Sequence, residues 1–310
     1  MIGAGVIGLS AAIRLQEAGW RVRIWTARPP EETTSAVAAA LWYPYRAYPA
    51  ELVDEWGRRS YAEFVRLADD AESGVTMVPG IEIWRHPVED PSWASAVPGL
   101  HRLGAERLPA GFVDGHGCTM PVARMERYLS YLAERFARGG GGMELRAVRH
   151  LAEATRHARL VVNCAGLGAR DLVGDASVVP VRGQVVRVAN PGVKRFWLDE
   201  GNPNGLTYII PRGDDCILGG TSDVGEWGLD PNPAVAELII GRCAALEPSL
   251  AGARVLEHRV GLRPGRPAVR LESESLPGGA RVIHCYGHGG AGMTLSWGCA
   301  DEVAALAGLP

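Results

Sequence analysis

The first twenty-five residues constrain the fold of this chain more than any other segment. Gly3–Gly8 reads GAGVIG, a GxGxxG motif, and it continues into the helix-forming run Leu9–Leu15, which stops before Gly19. Arg21–Trp25 then alternates as a strand does. Glycines at this spacing bring bare backbone to a pyrophosphate, whose charge lies at the positive end of the following helix. The order of turn, helix and strand therefore predicts a dinucleotide-binding unit.

Two parts of such a unit are absent from the sequence. Only two residues precede the glycines, so we expect the chain to begin one strand late. The acidic residue that commonly binds ribose hydroxyls after the second strand is replaced by Ala27 and Arg28. Glu31 and Glu32 are the nearest candidates to substitute for it, and the sequence leaves open whether either does.

Composition excludes several classes of protein. The 310 residues are 47% hydrophobic and carry a net charge of −3, so the chain can bury a large core and has no basic excess to attract nucleic acid or anionic membranes. No apolar run approaches the roughly 18 residues that a membrane-spanning helix needs, and the expected location is the cytoplasm. The six cysteines are scattered without a CxxC pair, which predicts mostly buried thiols.

The first half of the chain is rich in helix signals. Amphipathic helices are predicted over Asp54–Ser73 and Arg124–Arg138, and Gly139–Gly142 is a flexible break between domains. The small residues of 33–44 predict either a helix packed close to a ligand or an ordinary buried helix. Arg159–Gly166 reads as a buried strand that runs into a glycine turn, which is typical of a dinucleotide-binding sheet.

The second half is rich in strand signals. Short β-type segments separated by turn residues predict an antiparallel sheet, and they are Gly183–Val188, Leu206–Pro211, Cys216–Gly219 and Arg254–Leu262. Residues 281–310 return to strand, glycine loop and helix. We therefore predict an α/β fold in which a Rossmann-like cofactor domain is interleaved with a substrate domain built on a mainly antiparallel β-sheet plus helices. The cofactor domain comprises residues 1–45, 143–182 and 281–310, and the substrate domain comprises residues 46–142 and 183–280.

One short segment carries the side chains of a metal site. His284, Cys285 and His288 lie close together in sequence, and imidazole and thiolate are soft-metal ligands. The same segment reads as a strand end followed by a glycine loop, and no fourth ligand is evident. We therefore expect no metal here, and we expect the glycines to keep side chains away from a ligand.

Eight segments occur in the order found in the D-amino acid oxidase family of flavoproteins, which the chain resembles over nearly its whole length. They are IGAGVIGLS at 2–10, VAAALWYP at 37–44, VVNCAG at 161–166, RGQVV at 182–186, YIIP at 208–211, LGGT at 218–221, GLRPGRPAVRLE at 261–272 and IHCYGHGGAGMTLSWGCA at 283–300. The last segment departs from the family pattern at Cys285, where the family usually has Asn, His or Ala.

The resemblance implies FAD as the cofactor and a neutral or apolar D-amino acid as the substrate. Hydride leaves Cα for the flavin, the imino acid hydrolyses to a 2-oxo acid and ammonia, and dioxygen is reduced to hydrogen peroxide. A D-aspartate oxidase and a glycine- or sarcosine-type amine oxidase are alternatives within the enzymes. A flavin-binding protein without oxidase activity is an alternative of another class. A homodimer is also left open.

The resemblance also implies roles for individual residues. Arg263 and Tyr208 match the pair that binds the substrate carboxylate, and Gly290 matches the residue whose backbone carbonyl accepts a hydrogen bond from the substrate amine. The substrate side-chain pocket maps to Leu41, Tyr43, Leu198 and Ile210. Cofactor contacts are implied for Gly3, Gly5, Val6, Ile7, Gly8, Arg28, Thr34, Ser35, Ala39, Ala40, Leu41, Val148, Ala165, Gly166, Arg263, Gly287, Gly289, Gly290, Gly292, Met293 and Thr294.

Several other positions carry expectations of their own. Asn204 stands where the family has a second active-site tyrosine on a mobile lid, and the short segment 198–207 implies a reduced lid and a more open entrance. Arg212 follows a proline into a turn and is expected to face solvent. Arg266 and Arg270 are expected to form structural ion pairs. The Thr294 hydroxyl is implied to bond the flavin carbonyl at the positive end of the last helix.

Overall fold

Two β-sheets, each accompanied by helices, form the protein, and the computed structural model describes all 310 residues. The elements in chain order are α1 (Val6–Glu17), β1 (Arg23–Thr26), α2 (Ala50–Ala68), β2 (Val75–Trp84), β3 (His101–Arg102), β4 (Asp114–Ala123), α3 (Met125–Arg138), β5 (Gly142–Leu145), α4 (Leu151–Thr155), β6 (Leu160–Asn163), α5 (Ala169–Leu172), β7 (Val179–Ala189), β8 (Phe196–Asp199), β9 (Thr207–Pro211), β10 (Asp215–Gly219), β11 (Asp223–Val224), α6 (Pro233–Leu246), β12 (Val255–Gly265), β13 (Arg270–Ser275), β14 (Arg281–Tyr286) and α7 (Gly292–Ala307).

The first sheet carries the glycine turn. Its strands β1 and β5 are parallel, β6 and β14 are parallel, and β13 is antiparallel at the edge. Ile2 joins the two halves, because it forms parallel bridges to Trp25 on β1 and to Asn163 on β6. The residues before the glycines therefore occupy the central strand position, and Gly3–Gly8 leads from the sheet directly into α1.

Helices α1 and α7 pack against each other and cover this sheet. Ala11 and Leu15 of α1 share a buried cluster with Leu295 of α7 and Ile283 of β14. Helix α1 is buried around most of its circumference, so its apolar residues are not confined to one stripe. It ends before Gly19, which takes a positive φ of 91°. Helices α3 and α2 pack on the outside of α1 and α7 respectively.

The second sheet has nine strands in the order β11, β7, β10, β9, β8, β2, β4 and β3, with β12 also paired to β7. All neighbours are antiparallel except β2 and β8, which confirms the predicted antiparallel sheet. Along β9, Tyr208 and Ile210 face the cluster that includes Leu9 of α1, whereas Ile209 faces Ile239 of α6. Because side chains alternate along a strand, the polar Tyr208 and the apolar Ile210 lie on the same inner face of the sheet.

The predicted helix over 33–44 is wrong. Only Thr34–Val37 forms a short 3-10 turn, and the chain then runs extended along β4, where Leu41 bridges to Val122. Ala40 takes a positive φ of 59°, which no helix residue adopts. Backbone pairing with the neighbouring strand therefore outweighs the helix propensity of the alanine run.

The helix predicted over 54–73 is confirmed in type but not in extent, because α2 begins at Ala50 and ends at Ala68. Ser73 Oγ donates to the carbonyl of Leu67 at 2.6 Å, and Asp70 Oδ1 accepts from the backbone N–H of Glu72 at 2.9 Å. These side chains satisfy backbone groups in a turn and so compete with a further helical turn.

The expectation that Arg212 faces solvent is also wrong. Arg212 is only 2% exposed and forms a buried ion pair with Asp215 at 2.9 Å across the turn between β9 and β10. Its Nη1 also lies 3.5 Å from Glu126. The turn brings the two charges together because Arg212 N donates to the Asp215 carbonyl at 2.8 Å.

The predicted domain boundaries remain a prediction. Strand β13 at Arg270–Ser275 pairs with β14 of the first sheet, although the prediction assigns residues 183–280 to the substrate domain. Helices α2 and α3, also assigned there, pack against α7 and α1. Strand β13 and helices α2 and α3 of the predicted substrate domain therefore contact elements of the predicted cofactor domain directly.

Candidate active site

A cavity of about 880 Å³ begins at the glycine turn and extends to the second sheet. Its volume lies within the roughly 300–1,000 Å³ typical of small-molecule sites. Most of the predicted ligand-contacting residues line it. They are Gly3, Gly5, Val6, Ile7, Arg28, Thr34, Ser35, Ala39, Ala40, Leu41, Tyr43, Val148, Ala165, Gly166, Leu198, Tyr208, Ile210, Arg263, Gly289, Gly290, Gly292 and Met293.

The glycine turn packs too tightly for side chains. Gly3 has a φ of 98°, and a Cβ there would lie 2.5 Å from the Cys164 carbonyl oxygen. A Cβ on Gly8 would collide with the carbonyl of Gly3, so the turn can form only because Gly8 has no side chain. Gly8 itself does not line the cavity. At the start of α1, the N–H of Val6 donates to Ser35 Oγ at 3.0 Å. Bare backbone and a helix N-terminus therefore face the cavity, which is the arrangement that holds a pyrophosphate.

The end of the cavity near β1 contains charged residues in place of the absent ribose-binding acid. Ala27 and Arg28 line it, and of the two candidate acids Glu32 lines it whereas Glu31 does not. Arg146, which sequence reasoning missed, also lines the cavity, and its guanidinium lies 3.9 Å from the centre of the Trp25 ring. Its place directly after β5, beside the end of β1, is the signal that could have identified it.

Arg263 and Tyr208 meet at the opposite end of the cavity because of two glycines. Arg263 lies on β12 and Tyr208 on β9, and β7 and β10 separate these strands. A Cβ on Gly183 of β7 would collide with the Arg263 guanidinium, and a Cβ on Gly219 of β10 would collide with the Tyr208 ring. Sequence reasoning missed both glycines. Because neither glycine has a side chain, Arg263 can cross β7 and Tyr208 can cross β10, and the two side chains approach each other.

The electrostatic state of this pair suits anion binding. Arg263 Nη1 donates to the carbonyl of Thr221 at 3.1 Å, and no acidic residue forms an ion pair with Arg263. Burial raises the pKa of Tyr208, and the adjacent Arg263 opposes that rise. Tyr208 therefore keeps its hydroxyl proton at neutral pH and can donate it to an anion beside the guanidinium.

Tyr45 is a further member of the site that sequence reasoning missed. Its ring centre lies 5.9 Å from the guanidinium carbon of Arg263, and its hydroxyl donates to Ser222 Oγ at 3.2 Å. A Cβ on Gly290 would collide with the Tyr45 ring, so glycine is required there by this tyrosine. Tyr45 follows Tyr43 by two residues in extended chain, and this spacing could have revealed it.

Two carboxyl groups lie beside the apolar wall of Leu41, Leu198 and Ile210. Tyr43 Oη donates to Glu82 at 2.5 Å, and burial raises the pKa of Glu82, which is 3% exposed, to about 8. Glu200 lines the cavity itself, and desolvation raises its pKa to about 7. Neither periodicity nor a motif in the sequence identifies either carboxyl group.

Two further predicted cofactor residues do not line the cavity. A Cβ on Gly287 would collide with the Arg266 side chain, so this glycine serves local packing. The Thr294 hydroxyl accepts from the backbone N–H of Tyr43 and donates to the Tyr43 carbonyl, both at 2.9 Å. These two hydrogen bonds connect α7 to the segment that begins at Tyr43. At the start of α7, Gly292 and Met293 face the cavity instead.

The metal-ligand segment divides into two groups. His284 contacts Asn163 at 3.3 Å and Glu274 at 3.0 Å, away from the others. Cys285 lies 3.8 Å from His288 Nε2, and Cys299, which the prediction did not consider, completes a buried set whose ligand atoms lie within 4.8 Å of one another. The expectation of no metal therefore stays a prediction. Burial lowers the pKa of His288 to about 4, so its imidazole is neutral.

The remaining local predictions are confirmed. Arg266 pairs with Asp175 at 2.9 Å, and Arg270 pairs with Glu272 at 2.6 Å. All six cysteines are buried free thiols. None of the helices combines the length and the apolar character that crossing a membrane requires.

Comparison with known proteins identifies the family of the chain. The family described as FAD dependent oxidoreductase, DAO, matches residues 1–306. The chain belongs to this family. It is 57% identical over 309 residues to a D-amino-acid oxidase from Rubrobacter xylanophilus, covering 99% of this chain and 95% of the relative. It is 48% identical over 310 residues to a D-amino-acid oxidase from Streptomyces coelicolor, covering 99% and 95%.

Solved structures share the fold. A glycine oxidase from Geobacillus kaustophilus superposes with a TM-score of 0.80 at 20% identity, covering 98% of this chain and 92% of that chain. The predicted α/β fold and the FAD cofactor are thus confirmed. The residues present fit FAD, because the turn around Gly3 and the start of α1 offer the glycine cradle that a Cβ would fill.

Proposed function

We propose that the chain is a D-amino-acid oxidase that converts neutral, apolar D-amino acids to 2-oxo acids, ammonia and hydrogen peroxide. The observation that carries the proposal is the arginine without an acidic partner, Arg263, which meets the protonated Tyr208 in the cavity that begins at the glycine turn. The names of the two bacterial relatives support it.

Each wall of the cavity takes one part of the substrate. Arg263 and Tyr208 bind the α-carboxylate through charge-assisted hydrogen bonds, and the backbone carbonyl of Gly290 accepts one from the α-amino group. Leu198 and Ile210 contact the side chain. These anchor points leave the Cα hydrogen facing the cofactor in only one enantiomer, so positioning supplies most of the rate enhancement.

Bound FAD supplies the oxidising chemistry by taking the Cα hydrogen with its electron pair and passing two electrons to dioxygen. The lone pair of the neutral amine forms the C=N bond as the Cα–H bond breaks, so no general base is needed. Water then hydrolyses the imino acid to the 2-oxo acid and ammonia. The residues of the chain orient the amino acid and exclude bulk water from the reacting atoms.

The site disfavours the main alternative substrates. An aspartate side chain would approach Glu200, whose ionised form repels a second carboxylate. The buried Glu82, whose raised pKa of about 8 keeps it mostly neutral, offers no cation to bind it. Glycine and sarcosine would leave the apolar wall at Leu198 and Ile210 without a contact. A flavin-binding protein without oxidase activity would not require an arginine without an acidic partner, such as Arg263, in the cavity. Cytoplasmic location and a homodimer remain proposals based on the sequence.

Product analysis tests the proposal. The FAD-loaded protein should convert D-methionine to equal amounts of 2-oxo acid and hydrogen peroxide, with no turnover of L-methionine and much less of glycine, sarcosine and D-aspartate. Preferential oxidation of glycine or sarcosine would instead establish the amine oxidase alternative. Failure to oxidise any amine by a yellow, folded protein would establish the flavin-binding alternative.

A further inference from the structure

We propose that the end of the cavity near β1 recognises an adenine nucleotide that carries a phosphate on the 2′ position of its ribose. Such a nucleotide would occupy the end of the cavity that the adenosine of FAD also needs, so the two ligands would exclude each other. This inference concerns the loading of the cofactor, and it does not depend on the proposed oxidase function.

The glycine turn and the end of β1 determine where an adenosine ribose lies. The N–H of Gly3 donates to the carbonyl of Trp25 at 2.8 Å, so the turn that suits a pyrophosphate lies beside β1. In dinucleotide-binding folds, an acidic residue after the second strand binds the ribose 2′-hydroxyl, whereas an arginine there accommodates a 2′-phosphate. Ala27 and Arg28 take this place, and both line the cavity. The residues present therefore fit a 2′-phosphate.

A second arginine reaches the same place from the neighbouring strand. Strand β5 is parallel to β1, and the N–H of Arg146, directly after β5, donates to the carbonyl of Thr26 at 2.7 Å. The guanidinium carbon of Arg146 lies 3.9 Å from the centre of the Trp25 ring, and Trp25 is only 6% exposed. Stacking on a buried ring fixes the plane of the guanidinium and leaves its edge N–H groups free for a phosphate.

The charges of the two arginines have no partner within the protein. Neither Arg28 nor Arg146 forms an ion pair or a side-chain hydrogen bond, and both line the cavity. Glu32 is the only carboxyl group that lines this end, and it pairs with neither arginine. Two positive charges against one negative charge leave a net attraction for an anion. A phosphate can accept hydrogen bonds from both guanidinium groups, whereas a ribose hydroxyl has no charge to offset theirs.

Displacement of FAD from the FAD-loaded protein tests this recognition. The protein is incubated with adenosine 2′,5′-bisphosphate or with its isomer adenosine 3′,5′-bisphosphate, and the released flavin is measured after ultrafiltration. The isomers carry the same charge, so only the position of one phosphate differs. We expect the 2′ isomer to displace FAD at a concentration about tenfold or more lower, because it gains a charge-assisted contact. Added salt should reduce this difference, since it screens the exposed Arg28.

Removing the arginine charges should reduce the difference between the isomers. Arg28→Gln and Arg146→Gln should each lower the ratio of the two displacing concentrations, and the double variant should bring it close to unity. The matched control Arg21→Gln removes an exposed arginine that precedes β1 and does not line the cavity, so it should keep the ratio. Because the ratio compares two ligands of one variant, a general loss of stability or of FAD affinity cancels.

The outcomes decide between a built phosphate site and a general attraction of anions. Equal displacement by the two isomers would overturn the inference, because it would indicate that the position of the phosphate is not recognised. A difference that persists in the double variant would also overturn it, since the phosphate would then contact other residues. Retention of FAD against both isomers would show that this end of the cavity does not accept them. None of these results bears on the oxidase function, which product analysis tests separately.

Discussion

Replacing Arg263 with lysine tests the carboxylate-binding end of the site. One guanidinium nitrogen of Arg263 already donates to the Thr221 carbonyl at 3.1 Å, which leaves its other N–H groups for a substrate. A lysine keeps the charge but offers one compact ammonium, which cannot satisfy Thr221 and bind a carboxylate through two parallel bonds. We therefore expect the loss of one charge-assisted hydrogen bond, about 1.5–3 kcal/mol, and kcat/KM for D-methionine about 10- to 150-fold lower.

Initial rates of oxygen uptake over a range of D-methionine concentrations measure this loss, and the flavin spectrum measures cofactor retention in the same sample. The Arg263→Lys variant should keep its FAD, because the glycine turn lies at the other end of the cavity. The exposed Arg254, substituted by lysine, serves as the matched control and should behave as the unmodified protein. Normal kinetics in Arg263→Lys would refute the assigned role, and a colourless protein would indicate that Arg263 serves the cofactor instead.

Three further substitutions test the glycine turn, the path of the Arg263 side chain and the burial of His288. Gly8→Ala should yield protein without FAD, because the new Cβ displaces the Gly3 carbonyl and opens the turn; retention of the flavin absorbance would contradict this. Gly183→Ala should keep its melting temperature and FAD but raise KM for D-methionine about tenfold or more by pushing the Arg263 guanidinium aside. Gly241→Ala, which meets open space, is its control, and an unchanged KM in Gly183→Ala would contradict the crossing geometry. The buried His288, with its pKa lowered to about 4, should cost stability as pH falls from about 6.5 to about 4, because only the unfolded chain takes up the proton there. Urea unfolding should therefore show that the free energy of unfolding of His288→Gln falls by up to about 3 kcal/mol less over this pH range than that of the unmodified protein. An equal fall in both proteins would refute the burial of a neutral imidazole.

Local sequence patterns predicted the parts of the fold that depend on near neighbours. The glycine turn at Gly3–Gly8 and helix α1 follow from spacing and propensity, and the alternation along β9 placed Tyr208 and Ile210 on one face. The resemblance supplied Arg263, because spacing alone does not separate it from Arg266 and Arg270. The structure separates them, since Arg263 lacks the acidic partner that each of the other two has.

The parts that the sequence could not predict depend on strand register. Gly183 and Gly219 resemble ordinary strand interruptions until pairing puts one beneath Arg263 and the other beneath Tyr208. The ion pair of Arg212 required the exact geometry of a turn, and the contact between Thr294 and Tyr43 joins residues that are 251 positions apart. Such features arise from tertiary packing, which composition and periodicity do not encode.

The flavin itself reports most directly on whether this cavity selects a D-amino acid. The purified FAD-loaded protein is mixed, without oxygen, with D-methionine or with L-methionine, and the visible absorbance of the oxidised flavin is followed. We expect complete bleaching by D-methionine, recovery when oxygen is admitted, and no change with L-methionine. Bleaching by both enantiomers, or by neither, would contradict the proposed orientation of the substrate between Arg263, Tyr208 and Gly290.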